Sequence, residues 1–292
     1  MTPTLPPDLR QALLRRQRDE ITEYHIYRAL AAQMDDPANR EVLEEIAAME
    51  KRHYDLWRGL TGQDVAPQAW KVRLYAFLAR TLGLTFTLRL MERGEEQAQA
   101  LYRRLATVVP EALEVEKEEE EHEDRLLTLL QEEKLDYAGS VVLGLNDALV
   151  ELTGALAGLT LALQNARLIA LSGLVTGLAA AMSMAASEYL SVKAERGAKH
   201  PLKAALYTGV AYLFTVLALI LPYLLQDNYY LSLGLALTTA ILIIAAFNFY
   251  NAVARGSSFW RDFLEMVLIS LGVAAISFGL GYVLRLWLGV EV

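Results

Sequence analysis

The chain has 292 residues, no cysteine and a formal net charge of −8, from 27 basic and 35 acidic side chains. The acidic balance excludes the basic footprint a nucleic-acid partner requires, and the missing cysteines exclude disulfides, thiolate metal sites and thiol nucleophiles. The charge is unevenly spread: residues 1–134 carry 19 Lys and Arg against 26 Asp and Glu, whereas residues 135–292 carry 8 against 9.

Two domains follow from that division, a water-facing one over 1–134 and an apolar one over 135–292. The N-terminal stretch is amphipathic, without the apolar core of a signal peptide, so the first domain is expected on the cytoplasmic side. Its apolar residues recur at helical spacing with no strand alternation. A first helix is predicted from about Asp8 to Met34, ending at Asp35-Asp36-Pro37. Asp36 and Pro37 also suit the start of a second helix, with proline at its first position. That helix reaches about Leu60. A third runs from Trp70 to Val108 with a break at Gly83, and Pro110 opens a fourth. Long helices with short connections predict an all-α antiparallel four-helix bundle.

Two of the four histidines stand in Glu-x-x-His, as Glu50–His53 and Glu119–His122. Residues three apart share a helix face. The first helix adds Glu20, and the third adds Glu92 and Glu95, with Glu96 as an alternative to Glu95 and with Glu23 and Glu116 as further candidates. Carboxylates from two helices and Glu-x-x-His from the other two are the donor set of a carboxylate-bridged di-metal site. Hard carboxylates bridge two cations, and imidazole suits iron. His25 lacks such a partner pattern and reads as structural or surface; Tyr24, Tyr27 and Tyr54 read as packing.

From residue 135 the chain holds five apolar spans: about Tyr137–Leu163, Leu168–Leu190, Ala204–Leu225, Tyr229–Ala254 and Phe263–Leu286. Each can cross a hydrocarbon core, which takes about 20 helical residues. The loops after spans two and four hold six Lys and Arg (Lys193, Arg196, Lys199, Lys203, Arg255, Arg261) against Arg167 and Arg285 on the other side. The positive-inside rule then predicts a cytoplasmic N-terminal domain and an outside C-terminus. Asp147 and Glu151 share one face of span one, and Met184 and Glu188 share one face of span two. Acids inside a span are functional candidates by default. A carboxylate beside a thioether suits a divalent transition metal, so these four residues are the candidate transport path.

The set Glu20, Glu50-x-x-His53, Glu92-x-x-Glu95 and Glu119-x-x-His122 resembles the rubrerythrin branch of the ferritin-like superfamily. That resemblance implies a cofactor of two iron ions, with manganese or zinc as substitutes, and oxidation of iron by oxygen or peroxide at those seven residues. The cysteine-ligated rubredoxin module of rubrerythrins has no counterpart here. The stretches GLNDALVELTGALAG and SMAASEYLSVKAER resemble spans one and two of the vacuolar iron transporter family, called CCC-type in fungi. There, the positions of Asp147 and Met184 line the path of a dimer that exchanges ferrous iron for protons. The fusion as a whole resembles bacterial membrane-bound ferritins. It implies an iron exporter, with manganese as an alternative cargo, in the inner membrane of a bacterium or archaeon, acting in iron detoxification and oxidative-stress protection. The competing expectation is a membrane-anchored ferroxidase or peroxide scavenger whose spans serve only as anchor and dimeriser.

Overall fold

Asp36 accepts a hydrogen bond from Ala38 N at 3.1 Å, and Pro37 follows it as the first helical residue. The N-cap expected from the sequence therefore starts the second helix. The computed structural model describes residues 6–92, 102, 105–106, 109–119, 137–195 and 200–288. All regular structure among them is helical: α1 (Pro7–Ala31), α2 (Pro37–Thr61), α3 (Ala69–Leu82), α4 (Leu84–Glu92), α5 (residues 112–119), α6 (Ala138–Leu163), α7 (Ala166–Glu195), α8 (Pro201–Leu225), α9 (Tyr229–Arg255) and α10 (Phe259–Leu288). The chain divides into two compact units, Met1–Glu132 and Glu133–Val292.

In the first unit α1 packs along α2 and against α3. Two apolar clusters form its core. One gathers Leu9 and Leu13 of α1, Trp57 of α2, and Tyr102, Leu105, Ala112 and Val115. The other gathers Ile26, Tyr27 and Leu30 of α1, Leu43, Ile46 and Ala47 of α2, and Leu84, Leu88 and Met91 of α4. Between them, along both α1 and α2, lies a buried polar layer containing Arg16, Gln17, Glu20, Glu50 and His53. Burying charged groups is costly unless they are paired or hold a metal, so this layer marks the chemistry.

The third helix is broken where the sequence suggested. Gly83 adopts φ 103°, a conformation a side chain rarely takes, and it separates α3 from α4. α3 lies at the edge of its unit: none of its residues is fully buried, and Trp70, Leu74 and Phe77 are exposed. Residues 93–101, which the sequence reading placed in the third helix, lie outside the described residues. Beyond Pro110, helix resumes at residue 112.

In the second unit α6 packs against α7, α8, α9 and α10. Among the described residues, five helices are long and apolar enough to cross a membrane: Gly139–Leu163, Ala166–Glu195, Pro201–Leu225, Tyr229–Arg255 and Phe259–Trp287. Some outrun the sequence estimate because polar caps carry the helix past the apolar run; Asn165 Oδ1 accepts from Leu168 N at 3.1 Å and starts α7 two residues early. Small residues let the helices approach, as expected where lipid offers no hydrophobic drive. A Cβ on Gly144 would lie 2.4 Å from Thr208 O of α8, and one on Gly281 of α10 would lie 2.4 Å from Gly158 O of α6.

Candidate metal centre and membrane path

Glu20 from α1, Glu50 and His53 from α2, and Glu119 from α5 each present one ligand atom within 4.8 Å of all the others. Four of the seven residues expected from the sequence thus come together. The side chain of Glu92 and all of Glu95 and His122 lie outside the described residues. So does Glu96, while Glu116 belongs to α5 but not to the cluster. His25 is exposed, and Tyr27 and Tyr54 are buried as packing residues.

The geometry around His53 is two-sided. Its Nδ1 lies 3.6 Å from Glu50 Oε2 and 3.8 Å from both Glu20 Oε2 and Glu119 Oε1. Its Nε2 lies 3.0 Å from Glu118 Oε2. A carboxylate accepting the Nε2 proton leaves the Nδ1 lone pair aimed at the three glutamates, the usual outer-shell arrangement of a metal-binding histidine. The cluster can hold a metal ion: three carboxylates and an imidazole converge in a buried layer. Glu20 Oε2, buried and facing His53, accepts no hydrogen bond among the described residues.

Arg16, one turn before Glu20, threads this layer at 7% exposure. Its guanidinium donates to Glu119 Oε1 at 2.6 Å and to the Tyr102 hydroxyl at 2.6 Å. It stands 3.0 Å from Glu20 Oε1 and 3.5 Å from Glu23 Oε2. The Tyr102 hydroxyl reaches Glu119 Oε1 at 2.7 Å, and Trp57 Nε1 donates to Glu20 Oε1 at 3.1 Å. These contacts divide the protons. Burial works to raise Glu20, but Arg16, Glu50, His53 and Trp57 outweigh it and hold the carboxyl below its ordinary value. Burial pushes Glu50 well up, helped by the charges of Glu20, Glu23 and Glu119. Burial also raises Glu119 against the pull of Arg16, and raises Glu23 to about 8. Burial and the charge of Glu20 keep Tyr102 protonated. A divalent cation would supply the charge that lets these carboxyls ionise.

Glu23 was legible as a candidate; Arg16, Tyr102, Trp57 and Glu118 were not. Arg16 carries a usable signal in its i, i+4 spacing to Glu20. Tyr102 and Trp57 carry none, because both meet Glu20 only through tertiary packing.

In the membrane unit, Asp147 lines an open groove along α6 with Gly139, Val142, Leu143, Asn146 and Val150. Asn146 Oδ1 is buried and accepts no hydrogen bond among the described residues. Glu151, one turn on, receives a 2.7 Å hydrogen bond from the Tyr212 hydroxyl of α8. Glu188 of α7 accepts from Ser140 Oγ of α6 at 2.6 Å, and Thr208 of α8 donates to Ser140 O at 2.9 Å. Met184 packs on the apolar core of the unit. The four path candidates therefore divide: Asp147 opens to the groove, Glu151 and Glu188 are tied across helices, and Met184 joins the packing.

Residues 138–200 and 195–282 match the VIT family. The second unit is thus similar to the VIT family over almost its whole length. That similarity and the five candidate spans among the described residues support a multi-pass membrane domain of the vacuolar iron transporter type and suggest transport of a metal ion such as iron or manganese. No curated protein matches the chain.

Proposed function

We propose that the protein exports Fe²⁺ from the cytoplasm, with Mn²⁺ as a second cargo, and that its N-terminal unit is a cytoplasmic di-iron domain that binds iron and buffers or senses its supply. The observation that carries this reading is the family match across all five spans, combined with Asp147 and Glu151 on the same helix face of α6. Intramembrane carboxylates are too costly to serve as mere anchor residues.

Cargo would meet Asp147 in the α6 groove, beside the amide oxygen of Asn146. A carboxylate must lose its proton to bind metal, so inward-moving protons can displace metal from Asp147, Glu151 and Glu188 and drive export by exchange. Met184 supplies the thioether expected to favour a transition metal over magnesium or calcium. The open groove, apolar apart from Asn146 and Asp147, is the face through which two copies would pair as a homodimer and enclose the path. The excess of basic residues in the loops after spans two and four supports a cytoplasmic N-terminal unit and an outside C-terminus, in a bacterial or archaeal inner membrane.

In the first unit Glu20, Glu50, His53 and Glu119 would hold one metal, and Glu92, Glu95 and His122 would complete a di-iron pair. Bound iron would supply oxidation chemistry toward oxygen or peroxide. The chain's own residues bind and orient it: Glu118 holds the ring of His53, and Trp57 and Tyr102 hold the carboxylates. Ferric iron hydrolyses and is a poor cargo, which favours binding or sensing as the role coupled to export, with oxidation as a protective activity.

The test is uptake into proteoliposomes with the cytoplasmic face outward. Fe²⁺ and Mn²⁺ should accumulate when the lumen is made acidic, and the ion that competes better is the preferred cargo. Absence of gradient-driven uptake for both ions, alongside oxygen-dependent iron oxidation that Glu50→Ala abolishes, would leave the spans as an anchor and the chain as a ferroxidase.

A further inference from the structure

One oxygen atom in the glutamate cluster has three claimants. Glu119 Oε1 is the atom that faces His53 Nδ1 at 3.8 Å, and it also accepts the 2.6 Å hydrogen bond from Arg16 Nη2 and the 2.7 Å one from the Tyr102 hydroxyl. Glu20 divides its oxygens differently. Its Oε1 takes Arg16 at 3.0 Å and Trp57 at 3.1 Å, while its Oε2 faces His53 at 3.8 Å. A cation held between His53 and these glutamates would meet Glu20 at an oxygen that Arg16 leaves open, but would compete with the Arg16 guanidinium for Glu119 Oε1.

We propose that Arg16 is an internal counter-cation, which fills the place of a metal's charge in the metal-free cluster and competes with a metal for Glu119. It thereby holds down the affinity of the site. The inference rests on the reading of the cluster as a metal site and goes beyond it by assigning the residue that sets how tightly the metal is kept.

Three observations support it. Arg16 is buried, and arginine does not lose its proton in a protein, so its positive charge stays beside the cluster under all working conditions. Like charges in a poorly screened interior repel strongly, and an incoming divalent ion must overcome that repulsion or displace the guanidinium. A place to go exists as well. A polar cavity of about 140 Å³ adjoins Arg16 and is lined by Asp19, Glu23, Thr22, Lys71 and Tyr75 among others. Glu23 already stands 3.5 Å from the guanidinium, on that cavity. Rotation about the long side chain would exchange Glu119 for Glu23 and Asp19 within that cavity. A site of this kind takes up metal when supply is high and gives it back when supply falls, as a buffer or sensor must.

The opposite role is equally definite in its consequences. If Arg16 only props the carboxylates in ligating positions, its removal weakens metal binding. The two roles therefore differ in sign. Full-length protein in detergent is loaded with Mn²⁺, and retention is read by the EPR signal of released Mn²⁺ against graded chelator. Starting from loaded protein means that neither variant has to survive metal-free. Arg16→Gln and Arg16→Met should each retain Mn²⁺ at least about tenfold more tightly than the wild type, because the competing charge is gone. The same variants in excess chelator should unfold at lower temperature than the wild type, since Glu20 and Glu119 lose their counter-cation. Weaker or unchanged retention in both variants overturns the inference while leaving the metal site in place. A wild-type protein that retains no Mn²⁺ on the cluster, with Glu50→Ala indistinguishable from it, overturns both.

Discussion

Glu118 Oε2 lies 3.0 Å from His53 Nε2, on the edge of the ring away from the three glutamates that His53 Nδ1 faces. That contact decides which nitrogen is available to a metal. Glu118→Gln replaces the acceptor with an amide that can turn its NH₂ toward the ring, and the preferred tautomer is lost. Outer-shell changes of this kind cost about 10–100-fold in metal affinity. Mn²⁺ titration of the full-length variant should show that loss with little change in helix content by circular dichroism.

The metal-free first unit should become less stable as pH rises through neutrality. Burial, with Glu20 and Glu119 nearby, raises Glu23 to about 8, and burial pushes Glu50 and Glu119 up as well. A carboxyl raised in the folded state contributes stability that is complete below its unfolded value and is lost as pH climbs through the folded one. For Glu23 the window runs from the ordinary glutamate value, roughly 4.3, to about 8. Glu20 is lowered instead, so its contribution is lost only on acidification and lies outside that window. Melting of the full-length protein in chelator should therefore fall between these limits. Saturating Mn²⁺ should flatten the fall, because metal replaces the protons. A chelated protein whose melting temperature climbs across the window would contradict the assignment.

Gly281→Ala should destabilise the membrane unit. The added Cβ would sit 2.4 Å from Gly158 O, backbone that cannot swing aside as a side-chain tip can. Overpacking of this kind costs about 1–3 kcal/mol. Thermal unfolding in detergent, followed by size-exclusion chromatography, should show earlier aggregation than in the wild type. Gly279→Ala, which meets no atom within 4 Å, is the matched control and should behave as the wild type does.

Tyr212→Phe should disturb transport while leaving the fold intact. Its hydroxyl is the 2.7 Å donor to Glu151, and the ring itself is buried in the membrane core. Removing one oxygen keeps the packing and releases the carboxylate. The expected result is a several-fold change in the apparent affinity for cargo, measured as flux against metal concentration, with unchanged yield and melting temperature.

Much of this was legible in the sequence because the signals are local. Asp36-Pro37 begins α2 and Gly83 breaks α3 from α4, since a cap and a left-handed backbone are decided by one or two residues. The five spans were visible as apolar runs, though their ends moved outward wherever a cap such as Asn165 lengthened a helix. Glu50 and His53 share a face by spacing alone, and their meeting with Glu20 and Glu119 followed from a bundle expectation. What stayed hidden depends on distant packing. Tyr102 reaches Glu20 across 82 residues of chain, and Tyr212 reaches Glu151 across 61. Arg16 read as one basic residue in a run of four arginines within nine positions; its i, i+4 spacing to Glu20 was the one local hint, and burial is what sets it apart from Arg15.

The central claim is that the membrane unit moves metal by way of Asp147, and one paired measurement tests it most directly. Wild-type protein and Asp147→Asn are reconstituted with the cytoplasmic face outward, and Fe²⁺ and Mn²⁺ uptake is followed with an acidic lumen while Mn²⁺ binding to the first unit is measured in the same preparations. The account predicts gradient-dependent uptake in the wild type, near-background uptake in Asp147→Asn, and equal Mn²⁺ binding in both. Equal uptake by the two proteins, or none by either with the first unit still binding Mn²⁺, would contradict it.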